Sequence, residues 1–367
     1  MKSILNIFFF IVTFTNSNCF VITKDIMHHN HHNNNIIHKN YKMIKNNNNK
    51  IELSSIKKIN AYKQLMRTTN ILPTFLLNIL GGWLTIPSYN LFLNKFFWIF
   101  SMITQLTMMN SMVINDLFDL KIDLINNNNR PLITKQITIK EARCLYITIN
   151  FLIFLSTTYF LKKNNIHLYI YGINLVLFLY TPVLKKILFV KNIVCASVVS
   201  STIILTSKSL LVGNNKNLLL NYIPSQYPII KYNNLNLIHI TSIFLFLSSM
   251  YIELLLDIKD IDGDRENNII TIPNYFGVKN TLDFLLMIFS SNLMYFSNIF
   301  YENNNYAFLL GFIFSNGSFI KNLLVLRLSL LNNDTHSYER IKEKISSVVK
   351  ETTIPLFIFI ITTILYS

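Results

Sequence analysis

The sequence predicts an all-α integral membrane protein built as a bundle of nine spanning helices. Three observations carry this. Of 367 residues, 51% are hydrophobic and only 14% charged, against roughly 25% charged in soluble domains. The mean hydropathy is positive. Beyond Tyr62, apolar runs of spanning length alternate with short polar loops, and lipid leaves helices as the form such runs can take in a chain without barrel patterning.

The N-terminus stands apart from this pattern. Lys2 precedes the apolar run "ILNIFFFIVTF", and the polar "TNSNC" follows. This is the layout of a secretory signal peptide over residues 1–19, and the run is about half of the ~20 residues needed to span a bilayer. Residues 20–62 are rich in Asn, His and Lys, with Asp25 and Glu52 as the only acids. Such a segment has too little apolar surface to fold, and behind a signal it reads as a transit segment for a plastid-type, apicoplast-like organelle. A mitochondrial inner membrane or the endoplasmic reticulum is the alternative location. The membrane domain is then residues 63–367.

Nine spans are centred near Leu80, Thr107, Phe151, Val176, Ser200, Phe246, Ser291, Phe314 and Ile360. Basic residues collect before the first span (Lys57, Lys58, Lys63, Arg67) and in the even loops, including Lys121, Arg130, Lys185, Lys186, Lys191, Lys259 and Arg265. By the positive-inside rule these segments share the cytosolic or stromal-type face. An insertion from about Gly213 to Asn236 falls on the other side. The formal net charge of +15 is spread between apolar runs and builds no basic face, so nucleic acid is not an expected partner. Cys19, Cys144 and Cys195 have no metal-ligand spacing, and the odd count gives no disulfide framework.

Two acidic clusters interrupt the apolar text. In "INDLFDLKIDLINNNNRPL", Asn115, Asp119 and Asp123 recur at i, i+4, i+8, which on a helix places them within an arc of about 80° over about 12 Å. Carboxylates so close raise one another's pKa unless a cation neutralises them. Oxygen ligands without His or Cys select a hard ion, and sparse carboxylates suit magnesium beside a phosphate. A second cluster, "DIKDIDGDRE", again shows helical spacing, i, i+3, i+7, at Asp257, Asp260 and Asp264 after the sixth span, on the same predicted face. Two such stripes facing one cavity could hold two magnesium ions, and the ligand that needs them is a diphosphate.

"NDLFDLKID…NRPL" together with "DIKDIDGD…TIPNYFG" resembles the UbiA superfamily of intramembrane prenyltransferases, over about residues 65–367. The resemblance implies a nine-helix bundle around a central cavity open to lipid, transferring a prenyl group from an isoprenyl diphosphate to a membrane-soluble or amphipathic acceptor. It implies that Asn115, Asp119, Asp123, Asp260 and Asp264 hold the magnesium diphosphate and that Arg130 contacts its oxygens. "YTPVLKKILFVKN" is similar to a further family segment, which adds Tyr180, Lys185, Lys186 and Asn192 as diphosphate-binding residues. "DIKDIDGDR" and "LKKILFVKN" look closest to the branch of geranylgeranylglyceryl phosphate synthases and chlorophyll synthases. Two departures bear on the acceptor: "MRTTNIL" stands where many members have Arg-Pro-Asn, and Ile252 replaces a frequent basic residue. An inactive prenyl-diphosphate binder and a lipid transporter are the competing readings. Turnover of diphosphate separates them from the enzyme.

Overall fold

The computed structural model describes residues 55–126, 129–162, 165–213, 234–267, 269–302 and 306–329, with 341, 343–345, 348 and 349. The expected signal, most of the transit segment, most of the 213–236 insertion and the ninth span near Ile360 lie outside these residues. The chain divides into Met1–Asn60 and Ala61–Ser367, and the elements below belong to the second unit.

Every regular element among the described residues is helical. They run α1 (Ile71–Thr85), α2 (Lys95–Phe118), α3 (Leu120–Asn126), α4 (Ile139–Leu161), α5 (Ile166–Tyr180), α6 (Val190–Gly213), α7 (Asn234–Lys259), α8 (Ile261–Glu266), α9 (Ile272–Phe276), α10 (Val278–Glu302) and α11 (Tyr306–Ser329). Local chemistry fixes several starts. The Asn94 side chain accepts from the Phe96 N–H ahead of α2, and Thr138 with Glu141 forms a reciprocal capping box ahead of α4, each satisfying donors that a helix start leaves open.

Eight of the nine expected span centres fall on α1, α2, α4, α5, α6, α7, α10 and α11. Five helices among the described residues are long and apolar enough to cross a membrane: those at Lys95–Phe118, Ile139–Leu161, Val190–Leu211, Leu237–Lys259 and Val278–Glu302. At 15 residues each, α1 and α5 reach about 22 Å, short of a ~30 Å hydrocarbon layer.

α6 is the central helix and packs on α7, α1, α2 and α5. Small residues make this possible. A Cβ on Gly81 would lie 2.9 Å from the Ile203 carbonyl oxygen and 3.0 Å from its Cα, so α1 crosses α6 backbone to backbone. Beside that crossing, Thr206 donates to Asn78 Oδ1 at 3.0 Å and Asn78 Nδ2 donates to Thr104 Oγ1 at 2.7 Å. The Ser242 hydroxyl donates to the Ser200 carbonyl at 3.1 Å and ties α7 to α6. Close approach and interhelical hydrogen bonds are what hold helices together where lipid is as apolar as the core. α7, α10 and α11 share a core of Leu254, Leu255, Leu282, Phe289 and Leu326. The outer faces carry exposed Ile147, Phe151, Phe154 and Leu155 on α4 and Met287 and Met294 on α10, the surface of a protein solvated by lipid.

Candidate active site

The two long spans that bear the acidic clusters end in the same way. α2 stops at Phe118, and Asp119 leaves the helix with φ −85° and ψ 13° before α3 begins. Helical spacing nonetheless carries through the break: the Asp119 N–H donates to the Asn115 carbonyl at 2.9 Å and the Asp123 N–H to the Asp119 carbonyl at 2.8 Å. α7 stops at Lys259, Asp260 sits at φ −92° and ψ 10°, and α8 follows. Again Asp260 donates to Leu256 at 2.9 Å and Asp264 to Asp260 at 3.1 Å. The expected unbroken stripes are therefore corrected to two turns, one bent at Asp119 and the other at Asp260. α3 and α8 pack on one another, so the two turns meet.

Lysines occupy the ground between them. Lys185, on a 3-10 turn spanning Leu184–Lys186, places Nζ 2.5 Å from Asp119 Oδ2, and its charge reaches Asp260 and Asp264. Lys191 opens α6, with Nζ 2.7 Å from Asp257 Oδ1 and 3.5 Å from Asp264 Oδ2. Asn192 Nδ2 donates to Asp257 Oδ2 at 2.9 Å. Asp264 also feels the charge of Asp119 across the gap. Burial, then the neighbouring Asp264, pushes Asp260 above the usual carboxylate range. Burial pushes Asp264 up as well, with Lys191 and Lys185 pulling against it.

The remaining expected residues surround this centre unevenly. Arg130 Nη1 donates to both carboxylate oxygens of Asp116 at 3.1 Å, and its Nε lies 4.0 Å from Asp123 Oδ1. Asn115 accepts from the Thr181 hydroxyl at 3.3 Å. Tyr180 ends α5 with its hydroxyl against the Cys195 thiol, near Glu253 and Asp257. Lys186 is exposed. Phe118 is half exposed and packs edge-on to Phe178 at 6.5 Å.

Lys191, Arg67 and Glu253 are site residues to which sequence reasoning gave no role in the site, and Asp257, read from the sequence as part of the second acidic cluster, proves to be the partner of Lys191. Arg67, held at φ 46°, reaches Asp116 Oδ1 at 2.9 Å, and its charge is felt at Glu253. The available signal was a lysine one residue inside an apolar run, "VKNIVCAS", where a charge ordinarily needs a partner.

Among the described residues, no three His, Cys, Asp or Glu side chains gather tightly enough to enclose a metal ion. The donor set still fits magnesium. It consists of oxygen ligands, and Asp116, Asp119, Asp123, Asp257, Asp260, Asp264 and Glu253 outnumber Arg67, Arg130, Lys185 and Lys191. Magnesium keeps several waters and takes one or two carboxylates plus substrate phosphates, so it needs no closed protein cage.

With this geometry in view, the UbiA prenyltransferase family matches residues 72–347. The chain belongs to that family. Digeranylgeranylglyceryl phosphate synthase of Methanococcus aeolicus is 29% identical over 230 residues, 61% of this chain and 71% of that one. Its counterpart from Methanosphaera stadtmanae is 28% identical over 252 residues, 66% and 80% of the two chains. A solved digeranylgeranylglyceryl phosphate synthase superposes with a TM-score of 0.56 at 20% identity, over 84% of this chain and 99% of that one. A UbiA homologue from Archaeoglobus fulgidus bound to DMAPP and Mg2+ gives 0.53 at 17% identity, over 82% and 97%. The structural likenesses establish the shared UbiA fold.

Proposed function

We propose that this protein transfers a prenyl group, within the membrane, from an isoprenyl diphosphate to an acceptor, with magnesium held between the Asp119 and Asp260 turns. The observation that carries this is the meeting of those turns at Lys185, whose ammonium contacts Asp119 while its charge reaches Asp260 and Asp264. Carboxylates arranged around a cation in this way suit a ligand that is itself anionic and arrives with metal.

Asn115, Asp119, Asp123, Asp260 and Asp264 would supply the oxygen ligands. Magnesium, when bound, would neutralise the diphosphate and stabilise the charge that grows on it. Lys185 and Lys191 offer ammonium groups at the same place, and Lys185 would exchange Asp119 for a diphosphate oxygen as substrate enters. Arg130, braced on Asp116, orients the Asp123 turn and faces the diphosphate with its remaining N–H groups. Lys186, Asn192 and Tyr180 complete the proposed diphosphate site. The allylic carbon–oxygen bond breaks with its electron pair going to the departing diphosphate, which leaves an allylic cation; the acceptor's electron-rich atom bonds to that carbon, and its proton is taken up by the released diphosphate. The helical bundle keeps water from the cation in the interval.

The relatives named digeranylgeranylglyceryl phosphate synthase favour a glyceryl phosphate acceptor over an aromatic acid, a quinone precursor or a chlorin-type alcohol. We read the bundle as the family's nine spans, the ninth near Ile360. For location, the relatives are archaeal and bear on the membrane alone; the plastid-type reading rests on the acid-poor segment behind the apolar N-terminus. Purified protein given labelled geranylgeranyl diphosphate and this acceptor panel, with products read by mass spectrometry, tests the reading. A prenylated glyceryl phosphate supports it. Diphosphate binding without turnover would instead favour an inactive binder.

A further inference from the structure

Asp260 stands at the N-cap position of α8, where an aspartate side chain ordinarily accepts from the N–H of the second or third helical residue. It makes no such bond. The third residue is Gly263, and its N–H donates instead to Asn126 Oδ1 at 3.0 Å. The other half of the same amide, Asn126 Nδ2, donates to the Asp260 carbonyl at 3.1 Å. Asn126 is the last residue of α3, three positions after Asp123. One side chain from the first acidic turn therefore caps the helix of the second.

We propose that Asn126 is a positioning residue: by capping α8 from across the site, it leaves the Asp260 carboxylate free for metal and fixes the second turn against the Asp123 helix. This rests on the proposed role of Asp260 as a magnesium ligand. Both amide groups are needed, because Asn126 must accept from one backbone group and donate to another. Aspartate in its place would set an anion against the Asp260 carbonyl. Glycine at 263 is required by the same contact, since a Cβ there would lie 2.4 Å from Asn126 Nδ2 and 2.7 Å from its Oδ1. Without the amide, the Asp260 carboxylate, at the N-cap position of α8, is the ordinary acceptor for the Gly263 N–H, and it would be drawn from the metal into a local cap.

Manganese binding to purified protein, read as free Mn2+ by electron paramagnetic resonance, tests this without relying on turnover. Asn126→Ala should weaken the manganese Kd about tenfold, the scale seen when a residue behind a metal ligand is lost. The magnesium concentration for half-maximal prenyl transfer should rise in parallel. Gly263→Ala, which displaces the amide without deleting it, should give the same shift and serves if Asn126→Ala does not fold. On an Asp260→Asn background, Asn126→Ala should add nothing further. An unchanged manganese Kd in both single variants overturns the proposal, and so does a full additional loss on the Asp260→Asn background. Wild-type protein that binds no manganese and turns over without divalent metal would instead reject the metal reading of the site.

Discussion

Lys191 Nζ lies 2.7 Å from Asp257 Oδ1 and joins the start of α6 to the end of α7. Both side chains are almost wholly buried, and Lys191 also faces Asp264. Lys191→Met keeps most of the stem and removes the charge, leaving two carboxylates short of their cation. Removing one member of a buried pair costs about 3–5 kcal/mol. SDS titration in mixed micelles should register a loss of that order, partly recovered in Lys191→Met/Asp257→Asn. Stability equal to wild type would mean that the pair is open to water.

Gly81 offers a test of the packing that supports the site. Its would-be Cβ meets Ile203 backbone atoms, which cannot swing aside as a side chain end can, so Gly81→Ala must push α1 off α6. Overpacking of this kind costs about 1–3 kcal/mol. Gly172→Ala on α5, where nothing lies within 4 Å of the added carbon, should be neutral or gain up to about 1 kcal/mol from helix propensity. The same titration reads both, and equal effects would deny the close crossing.

Much of this architecture is legible in the sequence because lipid makes length and polarity decisive. Runs such as those around Thr107, Phe151 and Ser200 have no other stable form, and they fall on α2, α4 and α6. The acidic spacing at Asp119 and Asp123, and at Asp260 and Asp264, also survives as hydrogen-bonded turns. The bends at Asp119 and Asp260 were not legible, because spacing reports helical turns and is silent about a change of axis between them. Lys191 resembled any loop lysine, since its partners Asp257 and Asp264 lie more than sixty residues away. Asn126 was hidden differently: it begins a run of four asparagines in a chain full of such runs, and only its contact with Gly263 distinguishes it.

Magnesium should be obligatory. The carboxylates around Lys185 and Lys191 outnumber their cations, and a diphosphate adds further negative charge, so neither lysine can neutralise the filled site alone. Chelation should abolish prenyl transfer and added magnesium should restore it, followed as release of labelled diphosphate. Undiminished turnover in excess chelator would rule out the proposed chemistry.

The two turns should also differ sharply from their surroundings under substitution. Asp119→Asn and Asp260→Asn each remove one anionic oxygen while keeping the side chain's size. Asp119 is buried at the bend after α2 and Asp260 half-buried at the bend after α7, so neither change alters a helix interior. Each should lower kcat at least a hundredfold, about 3 kcal/mol of barrier. Asp262 is the internal control, because it lies on the exposed side of α8 between two buried neighbours, Ile261 and Gly263. Asp262→Asn should change kcat less than about threefold, since an exposed charge is screened by water. Equal losses at Asp260 and Asp262 would show that the whole turn, and not one face of it, engages the diphosphate, whereas near-normal turnover in both Asp119→Asn and Asp260→Asn would remove the basis for the prenyl-transfer site.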